Sequence, residues 1–177
     1  MSERWILNAS PLIVLAHIRQ TLLIAARADE AVVPEAVAAE ILAGPTTDPA
    51  RRWIEAGAVR VTLAPAASAG VATPPPMPEL LAWDLGAGET AVLAQALATP
   101  GWRAVLDDAA ARKCARSFSI PVLGTRAIIV RARQQGLIPS AAEAIRALRT
   151  AGFRIDAQLV RTGLWQTLRE AWPADET

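Results

Sequence analysis

The chain reads as an α/β domain, a parallel sheet with helices on both faces. Two observations predict this: short apolar runs alternate with helical stretches along most of the length, and most of the helical stretches are bounded by capping or stop residues. A third sets the scale. With 177 residues, 53% of them hydrophobic and 20% charged, the sequence can fill one core. Its length is close to that of one domain, roughly 150 residues.

The elements follow in order. Residues 4–7 predict a strand ending at Asn8-Ala9-Ser10, with Ser10 as N-cap and Pro11 as first residue of a helix to Gln20. Residues 31–33 predict a second strand, and Pro34 opens a helix to Leu42 that Gly44-Pro45 ends. Asp48-Pro49 starts another helix, and residues 59–62 alternate as a strand does. Residues 64–78 carry five prolines among small residues and read as a long surface loop. Helix 88–98 and strand 104–106 follow, the strand ending at Asp107-Asp108. Helix 109–118, an edge strand 120–122 and helix 125–135, stopped by Gly136, come next. Ser140 and Glu143 form a capping box for a helix to Thr150, which Gly152 ends. Asp156 can cap a last helix to Trp172. One domain over 1–172 with a frayed tail, 173–177, is the expected organisation.

No stretch approaches the ~18 uninterrupted apolar residues that a membrane span needs, and no secretion signal is evident at the start. The single cysteine, Cys114, cannot close an internal disulfide, so a cytoplasmic location is expected. Net charge is +1 but unevenly spread: residues 1–100 hold six arginines against ten acids (net −4), residues 101–177 twelve cations against seven acids (net +5). Such a split is compatible with an acid cluster working beside a polyanion, and equally with chance.

In parallel sheets ligands bind beyond the carboxyl ends of strands, at the switch point. This singles out Asn8, Asp107 and Asp108. Four acids need explaining. Glu40 lies at the edge of the apolar stripe of Val37 and Ile41, where a solvated glutamate is the plain alternative. Glu89 sits in a first helical turn, where the dipole favours a carboxylate, and Asp108 is an ordinary N-cap. Asp107, beside a second acid at a strand end, implies either repulsion or a cation. Taken together these groups could hold Mg²⁺ or Mn²⁺, hard cations that prefer oxygen donors. Such an ion acidifies a water and neutralises charge on a phosphate, needing neither His nor Cys. His17 then reads as structural and Cys114 as a buried thiol.

Residues 86–91, Gly-Ala-Gly-Glu-Thr-Ala, fit a dinucleotide fingerprint with Asp107 about twenty residues on. The fingerprint needs a strand immediately before it, whereas residues 78–84 read as a helical turn. Arg112 and Arg116 lie one turn apart on a helix just past the Asp107 strand end. They are either a solvated face or phosphate binders. The six tryptophans show no stacking pattern and are expected in the core or an interface.

The order of motifs resembles the PIN-domain superfamily. It comprises Asn-Ala-Ser-Pro-Leu-Ile from Asn8, Val-Pro-x-x-Val-x-x-Glu-Ile from Val33, Gly-x-Gly-Glu from Gly86, Leu-Asp-Asp-x-x-x-Arg from Leu106, Pro-Val-x-Gly-Thr from Pro121 and Ala-Gly-Phe-Arg-Ile from Ala151. The set spans nearly the whole chain and is most similar to a PIN-like branch related to VapC toxins. The resemblance implies a three-layer α/β/α fold and an Mg²⁺- or Mn²⁺-dependent endoribonuclease, a homodimer restrained by a cognate antitoxin. Carried over by position, Glu40, Glu89 and Asp107 match the catalytic, metal-holding acids, with Asp108 as helper or as the metal ligand in place of Asp107. Ser10 and Thr125 match supporting hydroxyls, and Arg112 and Arg116 would guide RNA phosphates. The sequence departs from the pattern at Asn8, where an Asp is usual. An amide oxygen can still bind a hard cation, but the site loses one negative charge. A catalytically silent scaffold that binds an antitoxin-like protein or RNA is therefore the alternative, and a dinucleotide-binding enzyme resting on residues 86–91 a distant third.

Overall fold

The computed structural model describes residues 3–57, 61–64 (backbone alone), 78–152 and 168. Five strands run parallel in one sheet: β1 (Arg4–Leu7), β2 (Glu30–Pro34), β3 (Val61–Ala64), β4 (Arg103–Val105) and β5 (Val122–Leu123), in the order β3-β2-β1-β4-β5. The expected parallel α/β architecture is present, a three-layer α/β/α arrangement. β1 is central, and Trp5, Ile6 and Leu7 are fully buried; unbroken apolar runs of this kind suit strands covered on both faces. From β1 the chain steps one way to β2 and β3, then crosses back to β4 and β5. The switch point lies between β1 and β4.

The helices are α1 (Ala9–His17), α2 (Leu22–Arg27), α3 (Glu35–Ala43), α4 (Pro49–Glu55), α5 (Pro78–Leu81), α6 (Ala87–Ala98), α7 (Ala109–Ser117), α8 (Thr125–Gln134) and α9 (Ala141–Thr150). Those that follow β1 and β2 pack on one another, α1 against α3 and α4, while α6 packs on α7. α3 also meets α6, which brings two distant acids together.

Several boundaries differ from expectation. α1 begins at Ala9, so Asn8 holds the N-cap position in place of Ser10 and Pro11 falls inside the first turn. The Asn8 side chain makes no capping bond, which leaves it free for the site. α1 stops at His17, and α2, which the sequence pattern did not signal, fills part of the gap before β2. His17 Nε2 pairs with Asp48 Oδ2 at 3.1 Å, and Asp48 caps α4 by accepting from Ala50 N at 2.7 Å. The two together tie the end of α1 to the start of α4. Ser140 caps α9 as expected, accepting from Glu143 N at 3.2 Å. The segment before Gly86 contains α5 and no strand, so the dinucleotide fingerprint lacks the strand it requires. Trp5 and Trp102 are buried, and Trp53 and Trp83 pack against the core.

Residues 59–60 of the expected third strand lie outside the described residues, as do 65–77 of the proline-rich loop and the tail at 173–177. So does the last helix apart from Leu168, which packs on the core. Among the described residues no helix is long and apolar enough to cross a membrane.

Candidate active site

Asn8 directly follows β1, and its backbone N–H donates to Val105 O at 3.2 Å, extending the β1–β4 ladder. Its side chain is therefore fixed at the switch point, buried to 1% exposure. The amide Nδ2 donates to Glu89 Oε1 at 3.0 Å. That bond sets the orientation of the amide and leaves Oδ1 facing the other way, buried and without a hydrogen-bond partner. Leaving such an acceptor unpaired costs about 1–3 kcal/mol, so its surroundings matter.

Gly88, in the first turn of α6, defines those surroundings. A β-carbon built on it would lie 2.9 Å from Glu40 Oε2, 3.1 Å from Asn8 Oδ1 and 3.5 Å from Val37 Cγ2. Two oxygens thus face one small volume beside a residue with no side chain. Glu40 comes from α3, and its carboxyl is held above the usual carboxylate range, first by partial desolvation and then by the charge of Glu89. Asn8, Glu40 and Glu89, far apart in sequence, form one group: the Asn8 amide donates to Glu89, and its oxygen and Glu40 Oε2 border the same space at Gly88.

Asp107 and Asp108 have different tasks. Asp108 Oδ1 accepts from Ala111 N at 2.7 Å and caps α7. Asp107 is occupied by the start of α8: Thr125 N donates to Oδ1 at 2.8 Å and Thr125 Oγ1 donates to Oδ2. Thr125 is buried to 2% exposure, so this clamp locks the end of β4 to α8. Arg112, from α7, lies over Gly124. A β-carbon there would be 2.6 Å from its Nη1 and 3.2 Å from Asp107 Oδ1. Arg116 is exposed one turn further along α7, and Ser10 is exposed in the first turn of α1.

Of the expected acids, Glu40 and Glu89 gather at Gly88, while Asp107 bonds Thr125 and Asp108 bonds Ala111. Among the described residues no three or more His, Cys, Asp or Glu side chains are grouped to hold a metal ion. Beside the Glu40–Glu89 pair stands a third oxygen, the unpartnered Oδ1 of Asn8. A hard divalent cation fits this set: its donors are all oxygen, and the buried Oδ1 lacks a partner. Sequence reasoning missed Gly88 and Gly124, and treated Asp107 and Thr125 as separate contributors. The signal for Gly88 was present in Gly-x-Gly-Glu, where a glycine inside a helical stretch has a cost that calls for a reason.

The family model DUF3368, a PIN domain, matches residues 4–168. No curated protein and no solved structure matches the chain.

Proposed function

The chain belongs to the PIN-domain family DUF3368, a nuclease-type fold, and on that premise we propose that it is a divalent-metal-dependent endoribonuclease, the toxin of a toxin–antitoxin pair. The observation that carries the nuclease reading is the unpartnered Asn8 Oδ1 beside Glu40 Oε2. Glu40, Glu89 and Asn8 would hold Mg²⁺ or Mn²⁺. When bound, the ion supplies charge neutralisation at the phosphate and acidifies a water. Glu89 holds the Asn8 amide so that its oxygen, and not its NH₂, faces the ion. Asp107 fixes Thr125 and the start of α8, and Arg112 extends a cation over Gly124 beside Asp107. A phosphodiester that spans the ends of β1 and β4 would meet both the acid group and the guanidinium. Arg116 would take a neighbouring phosphate.

The toxin role draws on the likeness of the motif set to VapC toxins. With it come a cognate antitoxin as partner, a homodimer and a cytoplasmic location. The second reading, a silent scaffold, is favoured by one observation: Asn8 is a neutral ligand, so the site carries two formal charges from its own acids.

Incubation of structured RNA with Mn²⁺ separates the two, using wild type, Glu89→Ala and Asn8→Asp. Cleavage that requires Mn²⁺ and Glu89 supports the enzyme. Cleavage equal in wild type and Glu89→Ala marks a contaminant and removes it. Activity gained only in Asn8→Asp supports the scaffold, its site intact but under-charged. A small neighbouring gene for a DNA-binding protein, co-purifying with this chain, would support the toxin pair.

A further inference from the structure

Gly88 has no conformational reason to be glycine. It lies in α6 with ordinary helical backbone and not in the left-handed region, where glycine is favoured. Glycine within a helix is unfavourable relative to alanine, since it loses more backbone freedom on folding. Its surroundings supply the reason. The space a β-carbon would take is bordered by Glu40 Oε2 at 2.9 Å and Asn8 Oδ1 at 3.1 Å, both closer than ordinary van der Waals contact, and by Val37 Cγ2 at an ordinary 3.5 Å. Gly86 follows the same pattern, its β-carbon position lying 2.5 Å from Glu89 Oε2. The glycines that imitate a dinucleotide loop are the ones on which the site's carboxylates rest.

We propose that Gly88 is a positioning residue of the candidate metal centre: its missing side chain lets the Glu40 carboxylate close against the buried Asn8 carbonyl. This rests on the divalent-metal reading above. The two neighbours would respond differently to a methyl group. Asn8 is buried, and its amide is held by Glu89, so it can yield only the few tenths of an ångström that a β-carbon at 3.1 Å demands. Glu40 is exposed over part of its surface, and its carboxylate ends a flexible chain, so it swings out. The better helix propensity of alanine offsets the small shift asked of Asn8, so the methyl group costs the fold little while opening the oxygen set. A residue that mattered only for helix packing would show the reverse, with lost stability and an unchanged site.

The test is Mn²⁺ titration of the full chain, followed by the electron-spin signal of free Mn²⁺. It compares wild type, Gly88→Ala, Glu40→Ala and the double variant, with metal-free melting temperatures beside it. The expected result is a metal-free Gly88→Ala that melts no lower than wild type and binds Mn²⁺ at least tenfold more weakly. The double variant binds no more weakly than Glu40→Ala, because both changes act through one carboxylate. Gly88→Ala binding Mn²⁺ as wild type does overturns the proposal and leaves the metal reading standing. Losses that multiply in the double variant also overturn it, as does a Gly88→Ala chain that unfolds. Wild type that fails to bind Mn²⁺ removes the metal reading and this proposal with it.

Discussion

The two halves of the site are built on opposite principles. On the β1 side, Asn8, Glu40 and Glu89 gather around Gly88 with one buried oxygen unpartnered and one carboxyl pushed above its usual range. On the β4 side, Asp107 spends both carboxylate oxygens on Thr125, with Arg112 close by over Gly124. The first half is under-satisfied and holds its groups at a cost in stability. The second is satisfied and contributes stability. Clusters left incomplete within an otherwise consistent fold are where ligands bind, since a ligand restores what the fold forgoes. A glycine sits at the centre of each half, and in each the space without a side chain is taken up by polar groups.

The largest effect that would sharpen this contrast belongs to Glu89→Ala. Residues that only orient a metal ligand lose about 10–100-fold in affinity or activity when removed. Glu89 both orients Asn8 and offers its own oxygen, so cleavage should fall by more than about 100-fold. Melting temperature in EDTA should fall only slightly, because the hydrogen bond lost by the buried Asn8 amide is partly offset by relief of the Glu89 charge on Glu40. A large fall in that temperature would mean that this half is structural after all.

Asp107→Ala should behave in the opposite sense. It leaves the buried Thr125 N–H and hydroxyl without their acceptor, and hydrogen bonds to a charged group are worth about 1.5–3 kcal/mol each. Urea unfolding should show a loss of about 2–4 kcal/mol, below the sum because water reaches the exposed carboxylate. Thr125→Val should reproduce part of it. Loss of cleavage with unchanged unfolding would break the comparison and place Asp107 with the metal donors.

Arg112→Ala tests whether the second half also meets RNA. If Arg112 neutralises one phosphate, the slope of log affinity against log salt on single-stranded RNA should fall by about 0.7. Titrations at several salt concentrations measure it. An unchanged slope would make Arg112 a packing partner of Gly124 only.

How much of this division could be read from the sequence depends on distance along the chain. Asn8 and Asp107 stand out in the sequence because each follows an apolar run, and in parallel sheets ligands bind at strand ends. The supporting residues were hidden. The Asp107–Thr125 clamp joins residues 18 apart whose types alone do not announce a bond. The sequence favours Ser10-Pro11 over Asn8 as the helix start because it is the stronger local signal. The chain instead starts α1 two residues earlier, with Pro11 in the first turn, where its missing N–H does no harm. Gly88 carried a motif with the wrong meaning, because a glycine chosen for clearance looks the same as one chosen to approach a phosphate.

The smallest expected effect is also the one that sets the two kinds of acid in this protein apart by sign. The Glu40 carboxyl lies above its ordinary value, through desolvation first and the Glu89 charge second. The folded chain therefore holds that proton more tightly than the unfolded one. Its contribution is present below the unfolded value and is lost as pH rises through the raised folded value. Asp48 is the reverse. Desolvation pushes its carboxyl up, but the bonds from His17, Ala50 N and Arg51 N outweigh it and hold the carboxyl below the usual range. Its contribution is present above the unfolded value and is lost as pH falls through the folded one. Glu40→Gln, measured without metal, should therefore melt above wild type at neutral pH, and the gap should close on acidification. Asp48→Asn should melt below wild type at neutral pH, and that gap too should close in acid. Thermal melts from about pH 3 to pH 7 distinguish the two signs, a range that spans ordinary carboxylate values. A Glu40→Gln chain less stable than wild type at neutral pH would show Glu40 to be a structural acid, and the Gly88 side of the site would lose the character assigned to it.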